Sequence, residues 1–135
     1  MSSSRAVQVT YFLLRVVVGL LFMCHGGQKL FGWFGGFGGP GGTVQLMSQM
    51  GLAGIIEFFG GALVMLGLGT RVAAFLMSGE MAVAYFQAHF PHGFWPIQNH
   101  GEPVVLFCFT FLFFAAGGAG AWSLDAMISR RRPHQ

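Results

Sequence analysis

Several ionisable side chains of this sequence lie inside long apolar stretches, where side chains of this kind are rare. A charged side chain at the centre of a membrane-spanning helix costs about 2.5–3.5 kcal/mol on insertion scales, so each one needs a partner or a function. Imidazole and carboxyl groups can exchange protons, and ammonium and guanidinium groups can hold anions. The residues in question are Arg15, His25, Lys29, Glu57 and Glu80.

Three of these residues are expected to meet near one end of their helices. His25 and Lys29 are four residues apart, which places them on one helix face. His25 lies five residues before Leu30 and Glu57 five residues after Leu52, so both are predicted about 7.5 Å below the outer surface. Glycines on both helices would allow the close approach that this requires, namely Gly26, Gly27, Gly60 and Gly61.

An imidazole, an ammonium and a carboxylate in one outer cavity suit a polar headgroup such as a quinone carbonyl, or a small anion. We assign His25 and Glu57 as the candidate catalytic residues, which would transfer protons. The candidate quinone-binding residues are His25, Lys29, Glu57 and His89.

The remaining two charges are predicted to form a structural ion pair. Arg15 lies eight residues past Val7, about 12 Å from the inner surface, and Glu80 lies nine residues past Arg71, about 13.5 Å from the same surface. Equal depth on neighbouring helices predicts an Arg15–Glu80 pair.

The composition predicts an integral membrane protein. Of 135 residues, 54% are hydrophobic and only 8% are charged, whereas a soluble domain has about 25% charged residues. The net charge of +3 does not indicate a nucleic-acid partner, because three of the seven basic residues form the run 130–132, which suits a membrane surface.

The apolar runs predict one all-α domain, an up-down four-helix membrane bundle. The expected spans are residues 7–30, 52–68, 71–90 and 103–121, with outer loops 31–51 and 91–102. Within the first loop, residues 44–50 are predicted to form a short interfacial helix. Basic residues 5, 71 and 130–132 fall on one side, so both termini are predicted in the cytoplasm of a bacterium, with the chain in its inner membrane.

Other chemistries have weaker support. His89, His92 and His100 lack the firm spacing of a zinc site, so no metal is expected. A bis-histidine haem would need His25 and His89 to face each other. Cys24 and Cys108 lie in apolar runs, where small buried thiols are the usual case, and whether they meet is left open.

Four blocks of the sequence resemble the DoxX family of small four-helix membrane proteins. The segment HGGQKLFG at residues 25–32 is similar to the family's HGxxKLFG motif, and residues 57–74, 89–102 and 121–125 resemble its later blocks in the same order. His100 stands where the resembling sequences more often carry glycine, and Gly120-Ala121 stands where Gly-Pro is common.

The resemblance implies a redox role, with no agreed catalytic residues to carry over. The family takes its name from a small subunit associated with quinol oxidation and thiosulfate:quinone oxidoreduction, and other members are linked to quinone or thiol stress. We therefore expect a quinone-interacting subunit that works with a partner oxidoreductase. No intrinsic cofactor is expected apart from a bound quinone, and membrane lipid surrounds the chain. The alternatives are a non-enzymatic scaffold whose buried charges fix helix packing, and ion or proton passage. Whether the chain forms a homo-oligomer is left open.

Overall fold

The computed structural model describes residues 3–131, which form helices joined by short loops with no β-strand among them. A 3₁₀ turn at Trp33–Gly35 follows the first helix, and a π-helical turn at Tyr85–His89 and a 3₁₀ turn at Phe90–His92 continue the third. The α-helices are α1 (Arg5–Phe31), α2 (Gln49–Leu66), α3 (Thr70–Ala84), α4 (Pro96–Asn99), α5 (Glu102–Gly117) and α6 (Leu124–Arg131).

Serine caps and left-handed glycines determine where the first two long helices begin and end. The Ser4 hydroxyl accepts from the Val7 N–H at the start of α1, and the Ser48 hydroxyl accepts from the Gly51 N–H at the start of α2. Gly32 and Gly67 end these helices with φ values of 73° and 70°.

The interfacial helix predicted over residues 44–50 is absent. Ser48 caps α2, and the Val44 N–H donates to the Lys29 carbonyl at 2.8 Å. Residues 44–48 are therefore a non-helical connection beside the last turn of α1, and residues 49 and 50 begin α2.

Glycines bring α1 and α2 into close contact. A Cβ added at Gly61 would lie 2.6 Å from the Gly19 carbonyl oxygen, and one added at Gly19 would lie 2.6 Å from the Met65 nitrogen. Gly26 packs in the same way on the backbone of Phe58. The other two predicted glycines have different neighbours: Gly27 packs under the Trp33 ring, and Gly60 faces the Met77 sulfur on α3.

The second helix pair, α3 and α5, is joined by polar contacts. The Ser78 hydroxyl donates to the Cys108 carbonyl at 2.8 Å, and the Cys108 thiol donates to the Ser78 carbonyl at 3.4 Å. Cys24 and Cys108 are both free thiols. The most deeply buried apolar side chains of the core are Phe22, Val64, Met77, Phe111 and Phe114.

The outer surface of these helices is apolar. Val72 on α3 is 70% exposed, and Leu106 and Phe109 on α5 are 68% and 64% exposed. In water, such a surface would be a large aggregation-prone patch, whereas lipid solvates it. Helices α1 and α2 are each long and apolar enough to cross a membrane, and the exposed apolar side chains are those that a membrane would cover.

The predicted Arg15–Glu80 ion pair is wrong. Arg15 is 1% exposed, and its guanidinium donates to the carbonyls of Val64 and Trp122 at 2.9 Å each, and to that of Ala119. Helix α1 has 27 residues and begins ten residues before Arg15, so Arg15 lies beside the last turn of α2 rather than level with Glu80.

Helix packing explains why a buried arginine needs no carboxylate at this position. The last four carbonyls of an α-helix have no intrahelical donor, and positive charge is favourable at a helix C-terminus. Arg15 serves this role for α2. Arg71 serves it for α5, because its guanidinium donates to the carbonyls of Ala115 and Ala116.

Candidate functional site

A cavity of about 500 Å³ lies among α1, α2, α3 and α5, near the end of the helices where the glycine-rich loop 31–42 lies. We call it the carboxylate cavity. Much of its wall is apolar, including Phe22, Ile56, Met81 and Phe107. Its polar groups are His25, Lys29, Gln49, Glu57, Glu80 and Gln87.

An ion pair between α1 and α2 forms one side of this cavity. Lys29 Nζ lies 2.8 Å from Glu57 Oε1, and the two side chains are only 11% and 4% exposed. It is the only salt bridge within residues 3–131. The ring of Phe37, from the glycine-rich loop, lies 5.5 Å from the Lys29 ammonium and provides a cation–π contact.

A second carboxyl group faces the first. Glu80 of α3 lines the same cavity, close to Glu57 and Lys29. The Oε2 atoms of Glu57 and Glu80 are buried and have no hydrogen-bond partner. One ammonium can neutralise only one of two carboxylates, so the cavity combines one cation with two acids and leaves one carboxyl group without a cation of its own.

The pairing of Glu57 with Glu80 was not predicted, although the sequence contains a signal for it. Helices α2 and α3 are joined by the tight turn Gly67–Gly69, and the two glutamates lie ten residues before it and eleven residues after it. Equal distance from the turn places two residues at the same level of an antiparallel helix pair.

The predicted site residue His25 also lines the cavity. It is exposed, and its ring centroid lies 6.2 Å from that of Phe22. His25, Lys29 and Glu57 thus border one cavity, with the imidazole at its accessible edge and the ion pair buried. Gln49 donates to Gln87 at 2.7 Å across the same region, which links α2 to the π-helical turn.

His89 does not line the cavity, so the structure does not bring it together with the other predicted binding residues. Its Nδ1 lies 3.0 Å from the Asn99 carbonyl oxygen, and its ring stacks on Tyr85. Gln87 and Ala88 follow Glu80 by seven and eight residues, share its helix face and line the cavity, whereas His89 follows it by nine residues and lies on the other side.

Asn99 organises the histidine-containing loop, a role that the sequence analysis missed. Its amide donates to the Tyr85 hydroxyl at 3.1 Å and to the Gly93 carbonyl at 2.7 Å, and its Oδ1 accepts from the Gly101 N–H at 2.8 Å. In the part of the chain that the structure describes, no three His, Cys, Asp or Glu residues come together as a metal site would require.

Comparison with known proteins identifies the family. The DoxX family model matches residues 10–90. An uncharacterized protein of Haemophilus influenzae is 44% identical over 120 residues, which cover 85% of this chain and 89% of the relative. No solved structure matches the chain.

Two more distant relatives carry informative names. The "Putative oxidoreductase CatD" of Bacillus subtilis is 27% identical over 132 residues, covering 93% of this chain and 91% of the relative. The "Inner membrane protein YqjF" of Escherichia coli is 27% identical over 138 residues, covering 91% and 95%. With the apolar surface and the two membrane-length helices, these matches confirm the predicted membrane location, and the chain belongs to the DoxX family of membrane proteins.

Proposed function

We propose that the chain is a redox subunit that binds a quinone headgroup in the carboxylate cavity and works with a partner oxidoreductase. The observation that carries this proposal is the cavity itself. Its volume of about 500 Å³ falls within the roughly 300–1,000 Å³ of small-molecule sites, which are mostly apolar with a few convergent polar groups. The name of the Bacillus subtilis relative agrees with an oxidoreductase role.

The proposal includes a topology of four spans with both termini in the cytoplasm. Helices α1, α2, α3 and α5 would cross the membrane. Arg5, Arg71, Arg130 and Arg131 would lie on the cytoplasmic side, as the distribution of positive charge favours. Lys29 is on the opposite side, where its charge is neutralised by Glu57. The carboxylate cavity would then open in the outer half of the membrane.

The chain's own residues would supply binding and proton transfer. A quinone takes up two electrons and two protons when it is reduced to the quinol. Lys29 is held at a fixed position by Glu57 and Phe37, so it can donate a hydrogen bond to a carbonyl oxygen. Glu57 and Glu80 would exchange protons with the quinone, and His25, which is exposed and lines the cavity, would connect it with water. The partner oxidoreductase would hold the electron-carrying cofactor.

Gly79 offers a clean way to test for a ligand in this cavity. It lies on the cavity wall in α3, and a Cβ added there meets no atom within 4 Å. A Gly79→Phe substitution would therefore occupy the cavity without a backbone clash. Val72→Phe is the matched control, because Val72 is on the same helix, is 70% exposed and does not line the cavity.

The experiment is to purify the three proteins in mild detergent, extract them with organic solvent and quantify quinone by its redox difference spectrum. We expect near-stoichiometric quinone in the wild type and in Val72→Phe, and little in Gly79→Phe. Equal amounts in all three proteins would place any bound quinone outside the cavity. Absence of quinone from the wild type would count against the proposal.

The scaffold alternative rests on one observation, the buried Lys29–Glu57 ion pair between α1 and α2. A pair of this kind can fix helix register without any chemistry. A scaffold would keep its biological function in Gly79→Phe, since this change leaves the ion pair and the helix contacts intact. A quinone site would lose that function while the protein folds normally.

A further inference from the structure

A lipophilic cation is a second class of ligand that the charges in the carboxylate cavity favour. Lys29 can neutralise only one of the two carboxyl groups, and it is paired with Glu57. The Glu80 carboxyl is the additional acid, and the Oε2 atoms of both glutamates are buried without a partner. Glu57 is only 3% exposed and Glu80 is half-buried, so water solvates a second negative charge in the cavity only in part.

The groups around Glu80 do not include another cation that could take this role. Helix α1 contributes Lys29 and His25 to the cavity, and α2 contributes Glu57. Helix α5 contributes Pro103, Val104 and Phe107, and the π-helical turn contributes Gln87 and Ala88. His25 is exposed at the edge of the cavity, so Lys29 is the only buried cation that faces the two acids within the described residues.

The cavity wall suits a ligand that comes from the membrane. Leu52, Leu76 and Val83 line the cavity and are also 57%, 54% and 49% exposed. These side chains of α2 and α3 therefore connect the cavity with the lipid-facing surface. Phe22 and Phe107 present aromatic rings to the same space, and aromatic faces attract cations by about 0.5–2 kcal/mol.

From these contacts we infer that the carboxylate cavity binds lipophilic cations in exchange for a proton on the additional acid, Glu80. When the cation enters, the carboxyl O–H bond breaks, the carboxylate formed pairs with the cation, and the proton leaves to water at the exposed edge beside His25. The charge of the cavity is the same before and after the exchange. Binding strengthens as the pH rises, because fewer protons compete for the carboxylates.

The probe for this inference is tetraphenylphosphonium, and the neutral control of similar shape is triphenylphosphine oxide. Titration calorimetry on the purified wild type in mild detergent gives the affinity, and an indicator dye in weak buffer gives the protons released. We expect saturable binding, release of about one proton per bound cation, and much weaker binding of the oxide without proton release.

Glu80→Gln removes the additional acid and leaves the Lys29–Glu57 pair in place. It should weaken cation binding by about tenfold or more and abolish proton release. A monodisperse elution profile establishes that the variant is folded. If Glu80→Gln does not fold, Gly79→Phe should abolish binding while Val72→Phe retains it.

Unchanged affinity in the folded Glu80→Gln protein, binding without proton release, or no saturable binding to the wild type would each overturn the inference. The quinone proposal is tested separately. A neutral headgroup needs no additional carboxylate, so extractable quinone without cation binding would support the redox role and contradict the cation inference. Cation binding without extractable quinone would support the cation inference and contradict the redox role.

Discussion

The buried Lys29–Glu57 pair gives the most quantitative prediction about this fold. Removing one member of a buried ion pair leaves the other charge without compensation and costs about 3–5 kcal/mol, whereas replacing both members with neutral groups of similar size is often nearly neutral. The two side chains are 11% and 4% exposed and 2.8 Å apart, so solvent screening is slight. A double-mutant cycle tests this coupling, and it consists of the wild type, Lys29→Met, Glu57→Gln and the double variant.

The neighbouring Glu80 affects how much stability each variant is expected to lose. In Glu57→Gln, Lys29 can turn to Glu80, which lies nearby. In Lys29→Met, a proton from water can neutralise the uncompensated carboxyl. Both single losses are therefore expected at the lower end of the range, about 3 kcal/mol, and the double variant should lose about 1 kcal/mol. On the scale of soluble domains, 3 kcal/mol corresponds to a fall in unfolding midpoint of about 10 °C.

The assay is thermal unfolding of the four proteins in one detergent, monitored as the loss of the monodisperse peak in size-exclusion chromatography. A matched cycle on Gln49 and Gln87, whose hydrogen bond of 2.7 Å is exposed, should give single losses below about 1 kcal/mol. Additive losses in the Lys29→Met/Glu57→Gln double variant, or single losses as small as those of the glutamine cycle, would refute the argument that the pair is energetically coupled.

Three further predictions follow from the backbone contacts. Arg15→Met should cost about 3 kcal/mol or more, because several buried carbonyls lose their donor. Adding Glu80→Gln should not restore the expression lost in Arg15→Met. Restored expression in the double variant would support an Arg15–Glu80 ion pair. Gly61→Ala should destabilise the fold by about 1–3 kcal/mol, because its Cβ would lie 2.6 Å from a backbone oxygen of α1. Gly79→Ala should stabilise the fold by up to about 1 kcal/mol, because its Cβ meets no atom. Similar unfolding midpoints for the two variants would contradict this prediction. His100→Gly should stabilise by about 1 kcal/mol, because residue 100 has φ 60°, and His100→Ala, measured beside it, should give no such gain.

The sequence was sufficient to predict the membrane location, the helical class and three of the six polar cavity residues. Apolar runs and scarce charges carry the first two conclusions, because the cost of unpaired polar groups in lipid leaves few alternatives. His25, Lys29 and Glu57 could be placed together because helical spacing is regular and the predicted ends of α1 and α2 were nearly right.

The errors came from depths counted from assumed helix ends. Arg15 was counted from Val7 as if all helices began at one level, but α1 extends past the end of α2. His89 follows Glu80 by nine residues, which is half a turn around the axis at about 100° per residue, so regular helical spacing already separates it from the cavity wall. The overhang of a helix has no pattern in a single sequence that a count of residues could recover.

Backbone conformation also explains the one unusual residue of the histidine-containing loop. His100 has φ 60° and ψ 21°, a left-handed conformation that glycine adopts without a steric penalty. Glycine at this position in resembling sequences therefore has a local physical reason. Because the requirement concerns φ, the change to histidine there predicts a small loss of stability and carries no implication for a binding site.

The two ends of the molecule use charge in different ways, and this difference separates structural from functional groups. At one end, Arg15 and Arg71 donate to carbonyls at the ends of α2 and α5, so the charges complete hydrogen bonds that the helices cannot make for themselves. At the other end, Glu57 and Glu80 each retain a buried oxygen without a donor. A buried acceptor of this kind costs free energy, which a proton, a quinol hydroxyl or a cation would recover. These two carboxylate oxygens are thus the reason to look for chemistry in the carboxylate cavity.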